Sequence, residues 1–232
     1  MSYQKINKSG NFFFSQDELS KIKEISIIAF SMIVMFAFFF IVPKNYLVIA
    51  VNKYHSTFFN IFSKILEFSA SFLGYGFFLG SIIFFRRNFF ETIFSLISFF
   101  IASSITKLIK NIFSFLARPH ACIDHSLLQG SFFEDLEKTM SFPSGHSSTA
   151  FVITFTSMFI FFKTKSKKKL IVLVFGILVA LSRVYLAVHF FRDVYFGMII
   201  GILGVIISRL FCCSVFGFKK FLRINDYKIN IK

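Results

Sequence analysis

Two histidines and an aspartate, His146, His189 and Asp193, lie at the ends of long apolar runs, beside the cations Lys107, Lys110, Arg118 and Arg183. An ionisable group at a bilayer is costly enough to be a functional-site hypothesis by default. In "SRVYLAVHFFRD" (182–193), His189 and Asp193 are four residues apart and share a face at a helix start. The carboxylate can then fix the imidazole tautomer and raise its basicity, as in the orienting pair of a nucleophile or general base. Arg183 lies six residues before His189 and would not share that face in one continuous helix. Either the chain turns between them or Arg183 reaches in from the preceding apolar run. The plainer alternative is an interfacial ion pair of Arg183 or Arg192 with Asp193.

A second cluster is "SFPSGHSSTAF" (141–151), just before another apolar run. Pro143 suits a helix edge, and Ser144 and Gly145 suit a turn into the helix. A helix starting here aims free backbone N–H groups and its positive dipole end at whatever lies in front, which is a ready anion site with His146 at its mouth. The third cluster, "TKLIKNIFSFLARP" (106–119), brings Lys107 and Lys110, three apart on one helix face, and Arg118 before Pro119. Alone, these cations could simply snorkel to the membrane surface. Together the clusters supply cations and backbone donors for an anion, two histidines and one carboxylate, without an Asp-rich magnesium cluster. That inventory suits phosphate better than a carbonyl or a metal, because phosphoryl transfer is catalysed largely by positioning and charge stabilisation.

The elements that must position these residues are membrane spans. The chain has 232 residues, 56% of them hydrophobic, with forty phenylalanines, far more apolar surface than one soluble core of this size hides. Spans of about 20 residues are predicted at 25–43, 66–85, 89–109, 147–162, 170–188 and 194–213. The predicted fold class is all-α, a polytopic six-transmembrane-helix bundle. A head (1–24) precedes the membrane domain (25–213, with a long loop over 110–146), and a basic tail (214–232) follows it. The 26 Lys and Arg residues fall in short tracts between apolar runs, which argues against nucleic acid as a partner. Those tracts are the head with Lys5, Lys8, Lys21 and Lys23, Arg86 and Arg87, "KTKSKKK" from Lys163, and the tail from Lys219. With six alternating spans they share one side, so the positive-inside rule puts both termini in the cytoplasm and all three clusters at the extracytoplasmic face. Thirty-six residues separate His146 from Arg183, enough to cross the membrane and return to the same face.

Other polar residues read as structural. His55 and Asn52 interrupt 46–64, an amphipathic interfacial helix. Cys122, Cys212 and Cys213 show neither disulfide nor metal-ligand spacing. In the long loop, His120, Asp124 and His125 within "HACIDH" read as loop polarity in preference to a metal site. Glu134, Asp135 and Glu137 suit a lid that selects a head group.

At these residues the sequence resembles the type 2 phosphatidic acid phosphatase superfamily of membrane lipid phosphatases. The family pattern is Lys, six residues, Arg-Pro; then Pro-Ser-Gly-His; then Ser-Arg, five residues, His, three residues, Asp. "PSGH" (143–146) and "SRVYLAVHFFRD" match in full and "RP" (118–119) matches, within a resemblance covering roughly residues 60 to 210. One departure is that Asn111 falls at the family lysine position, and a one-residue insertion in "NIFSFLA" returns Lys110 to it, in preference to Lys107. The resemblance implies His189 as nucleophile, Asp193 as its orienter and His146 as acid and base. It implies Lys110, Arg118, Ser144, Gly145 and Arg183 as phosphate ligands, with no metal and no cofactor. It also implies an integral cytoplasmic-membrane enzyme acting on a lipid phosphate such as phosphatidic acid, phosphatidylglycerol phosphate, undecaprenyl pyrophosphate or lipid A phosphate. A phosphotransferase using the same phosphohistidine intermediate on His189, which the resemblance implies, or a phospholipid-binding or transport protein, are the alternatives. The oligomeric state is open.

Overall fold

The structure, a computed structural model, describes residues 16–129 and 137–215. Lys5, Lys8, the tail lysines, Glu134 and Asp135 lie outside the described residues. All described regular structure is helical: α1 (Gln16–Ala37), α2 (Lys44–Asn52), α3 (Thr57–Ser69), α4 (Phe72–Arg86), α5 (Phe89–Ile112), α6 (Pro119–Cys122), α7 (Gly145–Phe161), α8 (Lys169–Tyr185) and α9 (Phe191–Val215). Helix starts are written locally. Ser56, Ser71, Asn88 and Ser144 cap α3, α4, α5 and α7 by accepting backbone N–H bonds, which satisfies donors a helix start leaves open.

Among the described residues, two helical stretches, Phe89–Ile112 and Phe191–Cys212, are long and apolar enough to cross a membrane. A third qualifies if α3 and α4, bent by 61°, count as one span. The predicted span 66–85 is therefore broken near its start, and the predicted interfacial helix 46–64 is two helices, α2 and α3, separated after Asn52. The bend at Ala70 and Ser71 has a local cause. Ser71 donates both its backbone N–H and its hydroxyl to the Phe68 carbonyl, and Gly74 lies so close to Phe68 and Ser69 that a Cβ there would strike their carbonyl oxygens. Helices α7 and α8 have 17 residues each, about 25 Å at helical rise, somewhat short of a bilayer core.

Helix α7 is the centre of the bundle, with Phe151, Phe155 and Met158 almost fully buried and α5, α8 and α9 around it. Outward, residues such as Phe30, Phe77, Phe100 and Ile171 are exposed, which is the surface expected of helices that face lipid tails. Close approach of α9 to α7 and α5 depends on glycines. A Cβ at Gly197 would lie 2.4 Å from the Ser144 carbonyl oxygen, one at Gly201 2.4 Å from that of Ser148, and one at Gly204 2.8 Å from the Ala102 Cβ. This small-residue stripe sets the α7 and α9 starts side by side, as small residues do between membrane helices. Gly201→Ala should destabilise by about 1–3 kcal/mol through overpacking against backbone. Gly76→Ala, where nothing lies within 4 Å, should be near neutral. Unfolding midpoints in detergent compare the two, and equal midpoints would contradict the packing account.

The ends of α5 and α8 and the starts of α7 and α9 meet at one end of the bundle. At the other end, Glu24 of α1 pairs with Lys169 at 2.9 Å and accepts the Lys165 backbone N–H at 2.8 Å, so the basic loop before α8 sits against the start of α1.

Candidate active site

The segment after α8 makes the first turn of the site. Helix α8 ends two residues after Arg183, and Ala187 takes a left-handed conformation with φ of 51°. The Val188 and His189 N–H groups then both fold back onto the Arg183 carbonyl. Both routes open to Arg183 are therefore used: it extends from the last turn of α8, and the chain also turns before His189. His120 braces this turn, with its backbone N–H donated to the Ala187 carbonyl and its Nδ1 3.2 Å from the same oxygen. Asn52 fixes the same end of α8 from α2, donating to the Tyr185 carbonyl while its Oδ1 accepts the Gln129 N–H.

Asp193, in the first turn of α9, is buried and faces His189 with Oδ2 3.7 Å from Nδ1. The same Oδ2 accepts the Ser141 hydroxyl at 2.5 Å and the Phe190 N–H at 2.9 Å, while the Asp193 carbonyl accepts the Ser144 N–H. The carboxylate is thus locked from the Ser141 segment and from its own helix start. With Asp193 on the Nδ1 side, Nε2 is the His189 nitrogen left for chemistry.

A cavity of about 530 Å³ opens at this end of the bundle, lined by Lys107, Lys110, Arg118, Gly145, His146, Arg183 and His189 among others. Ser103, Thr106 and Phe99 of α5, Ser148 and Thr149 of α7 and Phe72 of α4 continue its lining. Arg118 is held by three contacts to the returning loop: N–H to the Lys138 carbonyl, Nε to the Thr139 carbonyl, and Nη2 to Glu137 Oε2 at 2.6 Å. Arg183 pairs through Nη1 with Glu67 Oε1 at 2.8 Å, and the same oxygen lies 3.9 Å from His146 Nε2.

Lys110 and Lys107 both line the cavity, whereas Asn111 is exposed outside it. Ser144 lies beneath the cavity lining. It is fully buried, and its hydroxyl accepts from the Ser147 hydroxyl and N–H, acting as the cap of α7. In the long loop, Asp124 caps a short 3₁₀ turn by accepting the Ser126 N–H, and His125 contacts the His120 carbonyl, so both take part in local structure. His55 packs on the Tyr185 ring and touches Asn60. Ser141, Glu67 and Asn52 carry positioning contacts that no spacing signalled. The clue available for Glu67 was its charge at the outer end of a predicted span.

Burial lowers the His189 pKa to about 4, with Asp193 opposing the shift and Arg183 and Arg118 adding to it. A lowered pKa favours the neutral imidazole of His189 at neutral pH, the form a nucleophile needs. In the unfolded chain His189 would titrate near 6.5. Between that value and about 4 the unfolded state binds the proton and the folded state does not, so this component of stability is lost as pH falls through that window. Acidifying from pH 7 to pH 5 should cost about 2 kcal/mol from His189 alone. Unfolding midpoints against pH for wild type and His189→Gln measure it. An unchanged pH sensitivity in the variant would contradict a buried neutral imidazole.

Three comparisons bear on this geometry. The phosphatidylglycerophosphatase B of Bacillus subtilis (strain 168) is 40% identical over 74 residues, which spans 29% of this chain and 36% of that relative. The crystal structure of Aquifex aeolicus LpxE superposes with a TM-score of 0.56 at 24% identity, over 70% of this chain and 92% of that one. That of a transmembrane PAP2 type phosphatidylglycerolphosphate phosphatase from Bacillus subtilis superposes with a TM-score of 0.57 at 22% identity, over 87% and 98%. At these identities the two structures establish a shared fold. The PAP2 superfamily profile matches residues 90–213, more than half of the chain and the stretch that contributes every expected catalytic and phosphate-binding residue. By that match, and by the helical arrangement it shares with both solved structures, the chain belongs to the PAP2 superfamily.

Proposed function

We propose that the protein is a phosphatase that removes a phosphate from a membrane lipid phosphate or pyrophosphate through a phosphohistidine on His189. The observation that carries this reading is the convergence of His146, His189, Arg118, Arg183 and Lys110 on one cavity. Arg118, Arg183, Lys110 and the Gly145 N–H at the start of α7 hold the equatorial oxygens, and the helix dipole adds to their field. The Nε2 lone pair of His189 attacks phosphorus as the bond to the leaving lipid oxygen breaks, and His146 gives that oxygen a proton. Water then attacks the phosphohistidine, His146 takes the water's proton, and inorganic phosphate leaves with His189 regenerated. A phosphate dianion bound in the cavity offsets the positive charges of Arg118, Arg183 and Lys110, so bound substrate itself favours the protonated form of His146.

Six spans are proposed: α1, the bent pair α3 and α4, α5, α7, α8 and α9. The cavity faces the extracytoplasmic side and the termini face the cytoplasm, with the membrane domain over 25–213. Placement of the basic loop at the end away from the cavity supports this orientation by the positive-inside rule. Among candidate lipids, phosphatidylglycerol phosphate comes first, from the name of the B. subtilis relative, ahead of phosphatidic acid, undecaprenyl pyrophosphate and lipid A phosphate. Purified protein in detergent with EDTA should release inorganic phosphate from at least one of these four. Wild-type protein that binds these lipids without releasing phosphate would mark it as a binding protein.

A further inference from the structure

Both arginines that face the cavity are already engaged by carboxylates of the chain itself: Arg118 by Glu137 and Arg183 by Glu67. The two engagements differ in kind. Glu137 lies on the loop with its side chain 55% exposed, free to exchange Arg118 for another anion. Glu67 lies on α3, one turn before the bend into α4, and its neighbour Leu66 is buried with Val179 of α8 and Ala150 of α7. Its backbone is thereby held against the helix that carries Arg183.

A single oxygen, Glu67 Oε1, lies 2.8 Å from Arg183 Nη1 and 3.9 Å from His146 Nε2. An oxygen shared between the cation and the acid–base imidazole stands in the relation that a phosphate oxygen must take up when a substrate binds. The carboxylate and a phosphate dianion compete for one cation and repel each other at close range. We propose that Glu67 is a specificity-determining residue whose carboxylate competes with phosphate for Arg183, so that small phosphates, including the inorganic product, bind weakly. A lipid phosphate brings apolar contacts along α4 and α5, such as Phe72 and Phe99, that offset the displacement of Glu67. This inference takes the phosphate-binding reading of the cavity as its starting point.

Calorimetric titration of inorganic phosphate into the purified full-length chain in detergent tests it without turnover. Glu67→Gln, which removes the charge and keeps the shape, should bind phosphate about tenfold tighter than wild type. Glu67→Asp, which keeps the charge on a shorter arm, should fall between them, and it carries the test if the Gln variant does not fold. Equal or weaker phosphate binding by the variants would overturn the proposal, because it would make Glu67 a support that orients Arg183. In turnover, kcat/KM for soluble p-nitrophenyl phosphate relative to a lipid phosphate should rise about tenfold in Glu67→Gln. A proportional loss on both substrates would also count against it. If wild type releases no phosphate from any lipid, the phosphatase reading falls, while the titration still decides the role of Glu67.

Discussion

His189→Ala should abolish phosphate release, with a loss of about 10⁴-fold or more in kcat, while inorganic phosphate still binds within a few fold of wild type. The size of the effect follows from the role: removing a nucleophile leaves only positioning and charge stabilisation. Sparing of phosphate binding follows from the site, because Arg118, Arg183, Lys110 and the start of α7 remain around the cavity. Removing the buried neutral imidazole leaves a cavity at the turn after Ala187, so unfolding midpoints should accompany the assay. Steady-state phosphate release together with calorimetry separates the outcomes. Wild-type-like turnover in a folded variant would remove His189 from the chemistry.

Asp193→Asn is expected to be the next largest, lowering kcat by about 10²–10⁴-fold with a much smaller change in KM. Oδ2 of Asp193 accepts from Ser141 and from the Phe190 N–H and faces His189 Nδ1 at 3.7 Å. Asparagine can keep one oxygen toward Ser141 and Phe190, but it has no negative charge to favour the imidazolium character that His189 gains as it takes the phosphoryl group. Ser141→Ala leaves the charge and removes only one of the two donors that aim it, so a loss of about tenfold is expected. The order of the two kcat values is the check. A Ser141 variant as impaired as the Asp193 variant would mean that geometry, not charge, dominates the dyad.

Much of the site's placement is readable from the chain alone because its cues are local. His189 and Asp193 sit four apart at a helix start, and Pro143, Ser144 and Gly145 write the entry into α7. The length between His146 and Arg183 fits one crossing and a return. Contacts made at a distance along the chain were not readable. Glu67 is a single acid in "KILEFSAS", 116 residues from Arg183, and only the bend at Ala70 and the packing of α3 on α8 bring them together. Ser144 shows another case: its motif marks it for phosphate, and at an N-cap its hydroxyl also answers the helix's open N–H groups, a second role the motif does not announce. Asn52 reads as a polar interruption of an amphipathic surface, yet it is buried because its amide answers the Tyr185 carbonyl at the end of α8 and the Gln129 N–H of the long loop. The bend between α3 and α4 was hidden because both helices are apolar and hydropathy is blind to direction.

The central claim is a covalent bond between His189 and phosphorus, and rapid quench with a lipid phosphate labelled in its phosphate tests it most directly. Alkali-stable, acid-labile label should appear on the wild-type chain before free phosphate, map to His189, and be absent from His189→Ala. A protein that turns over at full rate with no acid-labile label at any quench time, or with label on another residue, would contradict the account.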